Sequence, residues 1–220
     1  MGLPVLVMGE SGAGKTYSLK NFDGKEISVF SVEKSRLPFQ KKLPLMPHAK
    51  YGDINKVLAE PAKKAYVIDD SQYLLVNEMF DGMTAGTNNF DLYKKLAMNF
   101  RNLIHDINDK LPEDVIVYFL HHTEQDKNTG KITAKTVGKM LSDVLTVEGC
   151  FDIVLWAKLE GQEHVFQTQT DGYCTCKSPE GMFDKIIPND LKAVDTRIRE
   201  YYGYLPKGEN NICGEKATCM

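Results

Sequence analysis

Features that would assign the chain to a membrane, secreted or nucleic-acid-coating class are missing from its 220 residues. No apolar stretch approaches the ~20 residues that cross a bilayer, and the N-terminus has no charged segment followed by an apolar core. We therefore expect a cytoplasmic protein without membrane contact. The net charge of −3 provides no overall polyanion-binding surface, so any contact with nucleic acid needs a local group of basic side chains.

Cysteine is scarce and irregularly spaced. The five cysteines are Cys150, Cys174, Cys176, Cys213 and Cys219, an odd number without a paired C-x-x-C spacing. A zinc site assembled from the last four is conceivable, but the spacing favours ordinary reduced cysteines. The sequence therefore predicts no structural metal.

The apolar pattern predicts one α/β domain over residues 1–203, followed by a polar tail, 204–220, that we expect to be mobile. Hydrophobic residues make up 42% of the chain, enough for a sizeable core. Apolar strands alternate with helices, which favours a mostly parallel sheet with helices on both faces and the active site at the strands' carboxyl ends. An antiparallel extension is predicted near the C-terminus, where FDIVLWAKLE and EHVFQTQT are joined by Gly161 and Gln162.

The most specific pattern is LPVLVMGESGAGKT, residues 3–16. Its spacing G-x-x-x-x-G-K-T is that of a phosphate-binding loop, in which backbone N–H groups converge on phosphate oxygens between a strand and a helix, here predicted to start over Lys15–Asn21. Lys15 would reach the β- and γ-phosphates, and Thr16 would place its hydroxyl on Mg²⁺. The predicted nucleotide-binding residues are Gly9, Glu10, Ser11, Gly12, Ala13, Gly14, Lys15, Thr16 and Tyr17.

Acidic residues follow two of the predicted strands. Asp69 ends the buried strand YVID at the Walker B position, where a carboxylate is held near Mg²⁺. Hydrolysis also needs a group that orients or deprotonates water, and both Asp70 and Glu33, at the end of the strand Ile27–Val32, qualify. Position alone does not separate these two carboxylates.

Two histidines, His121 and His122, end the predicted strand VIVYFLHH. A polar side chain at this point could hydrogen-bond the γ-phosphate and report its loss to the loop that follows. In the last part of the chain, Asn189 is predicted to cap a helix, DLKAVDTRIREYY, that ends at Gly203.

Taken in order, GESGAGKT, VFSVEKS, YVIDDSQYLL, YFLHHTE and TVGKML resemble the RecA-like P-loop ATPase core, over roughly residues 3–170. More narrowly, the chain is similar to phage-encoded Sak-type single-strand annealing ATPases, which carry little beyond that core. The resemblance implies hydrolysis of ATP with Mg²⁺, in the host cytoplasm if the chain is phage-encoded. It favours Glu33 over Asp70 as the catalytic base. It also places the γ-phosphate sensor on His122 or its neighbour His121, although RecA-like recombinases have glutamine there.

The resemblance also implies partners. RecA-like proteins contact single-stranded DNA with two flexible loops, which correspond here to Met79–Phe90 and Gln125–Thr136. The second loop carries Lys127, Lys131 and Lys135, whereas the first has no Lys or Arg and offers only polar, Phe80 or Phe90 contacts. ATP lies between subunits in this family, so a homo-oligomeric ring or filament is expected. Lys139 and Lys177 are the inter-subunit candidates, and a single-strand DNA-binding protein is a further partner to consider.

The expected function is therefore ATP-dependent, single-stranded-DNA-binding recombination that promotes strand annealing or exchange. Three alternatives stay open: another P-loop DNA-processing ATPase such as a helicase loader or packaging motor, a small-molecule kinase, and an ATP-dependent scaffold with little turnover. Kinases usually need an arginine-rich lid over the phosphates. The few arginines here, which include Arg36, Arg101, Arg197 and Arg199, do not cluster in a loop.

Overall fold

The computed structural model describes residues 1–33, 36–127, 129–138, 141 and 145–204. The strands in these ranges are β1 (Leu3–Gly9), β2 (Ile27–Ser31), β3 (Leu45–Pro47), β4 (Ala65–Asp69), β5 (Ile116–Gln125), β6 (Ile132–Ala134), β7 (Ile153–Glu160), β8 (Glu163–Gln167) and β9 (Ile186–Pro188). The α-helices are α1 (Tyr51–Leu58), α2 (Gln72–Thr84), α3 (Asn89–Lys110) and α4 (Leu191–Tyr202). Two short 3₁₀ helices span Thr16–Asn21 and Val147–Cys150.

The strands form a mixed, mostly parallel sheet in the order β3-β2-β4-β5-β1-β7-β8-β9. The first six of these strands are parallel to one another, whereas β8 and β9 add antiparallel to β7. The predicted mostly parallel α/β sheet and its antiparallel extension are therefore confirmed. β5 separates β1 from β4, so the carboxyl end of β5 lies between the predicted phosphate-binding loop and the two aspartates Asp69 and Asp70.

Side chains that alternate along the strands form a core on each face of the sheet. In β1, Leu6 and Met8 pack on one face with residues of α1, α2 and α3. Val5 and Val7 pack on the other face with residues of the first 3₁₀ helix and of α4. Because both faces are covered by helices, the parallel strands are apolar almost throughout, as expected for strands buried on two sides.

The prediction of a loop over Met79–Phe90 is wrong. α2 continues to Thr84 and α3 begins at Asn89, so the connection between them is only residues 85–88. Gly82 suggested a loop, yet it lies within α2, where a Cβ atom would overlap the side chain of Leu92. Close packing of α2 on α3 therefore explains a glycine that local propensity assigns to a turn.

The prediction of a flexible loop over Gln125–Thr136 is also wrong, and so is the prediction that the histidines end their strand. β5 continues past His122 to Gln125 and pairs antiparallel with β6. The segment is thus a β-hairpin whose turn is held by hydrogen bonds between the backbones of Asp126 and Lys131 and of Gly130 and Asp126.

The last helix ends where the sequence predicts but is capped by a different residue. Gly203 has φ 73° and ends α4, whereas Asp190, and not Asn189, accepts hydrogen bonds from the backbone of Lys192 and Ala193. Residues 205–220 of the predicted tail lie outside the described residues. Across the described part of the chain, no helix is long and apolar enough to cross a membrane.

Candidate functional site

The predicted phosphate-binding loop follows β1, in the middle of the sheet between β5 and β7. Gly9 is level with His122 on β5 and with Ala157 on β7, and a Cβ atom at Gly9 would lie 2.7 Å from the Ala157 carbonyl oxygen. Only glycine lets the chain leave the sheet at this point. The Lys15 side chain is buried and donates hydrogen bonds to the carbonyl oxygens of Gly9 (2.7 Å) and Glu10 (2.9 Å).

The helix after the loop differs from the sequence prediction in type. Residues Thr16–Asn21 form a short 3₁₀ helix, and Gly14 precedes it with φ 90°, a conformation that favours glycine. Because the helix is short, the binding of an anion at this point would depend mainly on the loop backbone and on the Lys15 ammonium. The glycines and the lysine thus lie where the motif requires them, but the helix that follows is shorter than the motif predicts.

The loop is joined directly to the end of β4. The Thr16 hydroxyl donates a 2.9 Å hydrogen bond to Oδ1 of Asp69, a carboxylate that is only 1% exposed. These residues are 53 positions apart in the chain. The fold therefore pairs the two residues that the sequence predicts as magnesium ligands.

Asp70 and His122 form a second polar pair beside the loop. Asp70 has φ 60° and is 2% exposed, and its carboxylate lies 3.3 Å from Nε2 of His122. Aspartate adopts this left-handed conformation more readily than most residues, and such strain is found most often at functional sites. Both residues line a cavity of about 260 Å³, here called the phosphate cavity, whose wall comprises loop residues and Pro38, Asp70, His122 and His164.

His121 has a different environment from His122. Its ring is fully buried, with Nε2 2.8 Å from the carbonyl oxygen of Lys135 and Nδ1 2.8 Å from the Ser71 hydroxyl. Burial lowers the pKa of His121 to about 4, so the ring is neutral at pH 7. Because a carbonyl can only accept, Nε2 carries the proton. The ring therefore connects Ser71, in the turn after β4, to the backbone of Lys135 at the end of the β5–β6 hairpin.

Glu33 lies elsewhere. Its side chain is exposed and accepts a 2.9 Å hydrogen bond from the Asn77 amide on α2. Asp70 is among the described residues that line the phosphate cavity, and Glu33 is not. The structure thus associates one of the two predicted carboxylates with the phosphate loop and holds the other against α2.

The predicted DNA-binding and inter-subunit lysines are exposed where the structure describes them. Lys127, Lys131 and Lys135 lie on the β5–β6 hairpin, which also carries the exposed Glu124 and Asp126. Lys177 is exposed, and its backbone pairs with Val154 of β7. Lys139 lies outside the described residues.

Two residues that the sequence did not suggest for the site lie against the loop. His164 of β8 lines the phosphate cavity, and Asn189 follows β9. A Cβ atom built on Gly14 would lie 3.0 Å from Nδ1 of His164 and 3.2 Å from Oδ1 of Asn189. No local signal marks either residue, because β8 and β9 reach the loop only through antiparallel pairing at the sheet edge.

Within the described residues, no cluster of three or more His, Cys, Asp or Glu side chains is arranged to hold a metal ion, and Cys150, Cys174 and Cys176 are free thiols. Comparison of the chain with models of protein families and with curated proteins found no match. The geometry of the site and the sequence pattern together therefore carry the functional argument.

Proposed function

We propose that this chain is a RecA-like P-loop ATPase that hydrolyses ATP to ADP and phosphate. The observation that carries the proposal is the hydrogen bond between Thr16 and Asp69. It joins the Thr of a G-x-x-x-x-G-K-T loop to a carboxylate at the end of β4, a parallel strand separated from β1 by β5. This is the relation that nucleotide hydrolysis with Mg²⁺ requires. The buried Lys15 and the phosphate cavity beside it support the same reading.

The residues present fit Mg²⁺. The Thr16 hydroxyl and the Asp69 carboxylate are hard oxygen ligands within hydrogen-bond distance of each other, and Mg²⁺ in such sites takes one or two protein oxygens together with water and phosphate. When bound, the ion neutralises charge on the phosphate oxygens. Lys15 would bind the β- and γ-phosphates in exchange for its hydrogen bonds to the loop carbonyls.

Asp70 is our first candidate for the group that orients the attacking water, since it lines the phosphate cavity and its carboxylate contacts His122. His122, level with Gly9 on the adjacent strand, is the candidate γ-phosphate sensor. Glu33, which the family resemblance favours, is the second candidate base. It would have to leave its hydrogen bond with Asn77 to reach the phosphates.

We further propose that ATP binding is coupled to single-stranded DNA at the β5–β6 hairpin, in support of strand annealing or exchange by a homo-oligomer. Lys127, Lys131 and Lys135 supply the local positive charge that a chain of net charge −3 needs. The hairpin is continuous with the strand that carries His122, and the His121 ring bonds the Lys135 backbone. Loss of a γ-phosphate contact at His122 can therefore change the position of the hairpin that carries the three lysines.

The test is phosphate release with and without single-stranded DNA. We expect Mg²⁺-dependent release that DNA stimulates and that falls by orders of magnitude in Lys15→Ala, because the cation that meets the β- and γ-phosphates is gone. Lys41→Ala, which removes an exposed lysine, is the matched control. Wild-type turnover in Lys15→Ala would contradict the nucleotide site, and turnover insensitive to DNA would favour another P-loop machine.

A further inference from the structure

A second cavity lies on the other side of the phosphate loop from the Asp70–His122 pair. It has a volume of about 610 Å³ and is lined by Tyr17, Lys20, His164 and Asn189 among others. Tyr17 and His164 also line the phosphate cavity, so the two spaces meet at these rings. We call the second space the side cavity.

The side-chain amide of Asn189, at the wall of the side cavity, is buried without hydrogen-bond partners in the part of the chain that the structure describes. Both its amide oxygen and its amide nitrogen are buried, and neither has a hydrogen-bond partner among the described residues. Buried polar atoms are nearly always paired, so each exception needs a physical explanation. Asn189 is not the cap of α4, since Asp190 fills that role, and helix capping therefore does not account for its amide.

The position of the amide suggests its partner. Asn189 lines the side cavity, and its amide lies against Gly14, next to the imidazole of His164. The terminal torsion of an asparagine is broad, so the amide can turn from the loop toward a group in the cavity. A single ligand held by the phosphate loop can extend into this space, because Tyr17 and His164 line both cavities.

We propose that the side cavity binds the base of the nucleotide and that the Asn189 amide pairs with the base edge. The inference rests on the proposed nucleotide site. An amide offers a donor beside an acceptor, which complements adenine on its N6/N7 edge, and we place the amide at that edge. Guanine presents two acceptors, N7 and O6, at the same edge. Pairing at this edge therefore favours adenine.

The two rings at the boundary of the cavities provide a stacking surface for the base. The Lys20 ammonium covers one face of Tyr17 at 4.3 Å from the ring centroid, and His164 is an exposed side chain on β8. Stacking on such rings depends little on which base is bound. The amide therefore supplies the selectivity, and the rings supply affinity for any base.

Calorimetry with three probes separates the base from the phosphates: the non-hydrolysable triphosphates of adenosine and guanosine, and inorganic tripolyphosphate, all with Mg²⁺. We expect the wild type to prefer the adenosine analogue. Asn189→Ala should weaken that analogue by about tenfold, the effect of one or two lost hydrogen bonds, while leaving tripolyphosphate binding unchanged. His164→Ala, a change at an exposed residue that lines both cavities, should weaken both nucleotides by a similar factor.

The outcomes are distinct for this inference and for the proposed function. Equal weakening of all three probes by Asn189→Ala would assign the amide a role in shaping the loop and overturn the inference. Wild-type affinity for tripolyphosphate equal to that for both nucleotides would also overturn it, while leaving the phosphate site intact. Failure of the wild type to bind any probe would refute the nucleotide site itself.

Discussion

Replacing each of the two candidate bases by its amide tests the catalytic assignment most directly. Asp70→Asn keeps an oxygen that can accept a hydrogen bond from His122, and asparagine tolerates the φ of 60° at this position. Glu33→Gln likewise keeps an oxygen that can accept from Asn77. Both substitutions remove the charge while preserving shape, so differences in turnover report on chemistry more than on folding.

The expected magnitudes follow from where the structure places each carboxylate. A general base contributes about 10²–10⁴ in rate, equivalent to about 3–5 kcal/mol of transition-state stabilisation. We expect a loss in this range for Asp70→Asn, because Asp70 lines the phosphate cavity and is buried. Glu33→Gln, at an exposed residue held by α2, should reduce turnover by less than about tenfold.

The assay is single-turnover phosphate release at saturating ATP and Mg²⁺, with thermal unfolding and fluorescent-nucleotide binding as controls. Both variants should bind ATP and melt near the wild-type temperature. A larger loss for Glu33→Gln than for Asp70→Asn would refute the assignment. The catalytic base would then be Glu33, as the RecA-like resemblance indicates, and Asp70 would only position His122.

Three further predictions concern the hairpin, a buried histidine and a buried ion pair. Replacing Lys127, Lys131 and Lys135 together by Ala should weaken single-stranded DNA binding and reduce the slope of log affinity against log salt concentration by about 2, at about 0.7 per lost phosphate contact. Replacing Lys25, Lys41 and Lys56 by Ala, the control, should leave the slope unchanged. Equal slopes for the two triple variants would refute DNA contact by the hairpin. The depressed pKa of His121 means that the unfolded chain binds a proton more readily than the folded chain. The free energy of unfolding should therefore fall as pH drops from about 6.5 towards about 4, by about 2 kcal/mol between pH 7 and 5. Urea titrations of His121→Gln should lack this part of the pH dependence. Asp195 accepts from the Tyr118 hydroxyl (2.9 Å) and from Arg199 (2.8 Å). Asp195→Ala should lower the free energy of unfolding by about 2–4 kcal/mol, because the buried Tyr118 hydroxyl loses its partner and the Arg199 guanidinium keeps only its hydrogen bonds to the carbonyl oxygens of Asp114 and Lys64. Lys110→Ala, which breaks an exposed pair, should change it by less than about 1 kcal/mol, and equal effects would refute the importance of burial.

Local pattern was sufficient for the strands that enclose the phosphate loop. The apolar run before Gly9, the strand before Asp69 and the antiparallel pair around Gly161 all form as predicted, with ends shifted by up to three residues. These segments are buried on both faces or joined by a short turn, so hydrophobicity and local turn chemistry specify them. The same reasoning could not find β3 and β9, which are three residues long and exist only through pairing with β2 and β8.

The errors occurred where a neighbouring element overrides local propensity. Met79–Phe90 has a loop-like composition, yet packing of α2 on α3 keeps Gly82 helical. The polar segment after His122 became a hairpin because β6 pairs with the extended end of β5. Neither outcome can be read from the segment alone, since the stabilising contacts come from residues elsewhere in the chain.

The candidate site also has one part that local sequence predicts and another part that depends on tertiary structure. The sequence by itself predicted a phosphate-binding loop from Gly9 to Thr16, because such a loop needs its glycines and lysine at fixed local spacing. Only the tertiary structure decided that Thr16 bonds Asp69, that Asp70 and not Glu33 faces the phosphate cavity, and that Asn189 lies beneath Gly14. The physical reason is strand order: each of these relations depends on which strands are neighbours, and long-range hydrogen bonding of the sheet sets that order.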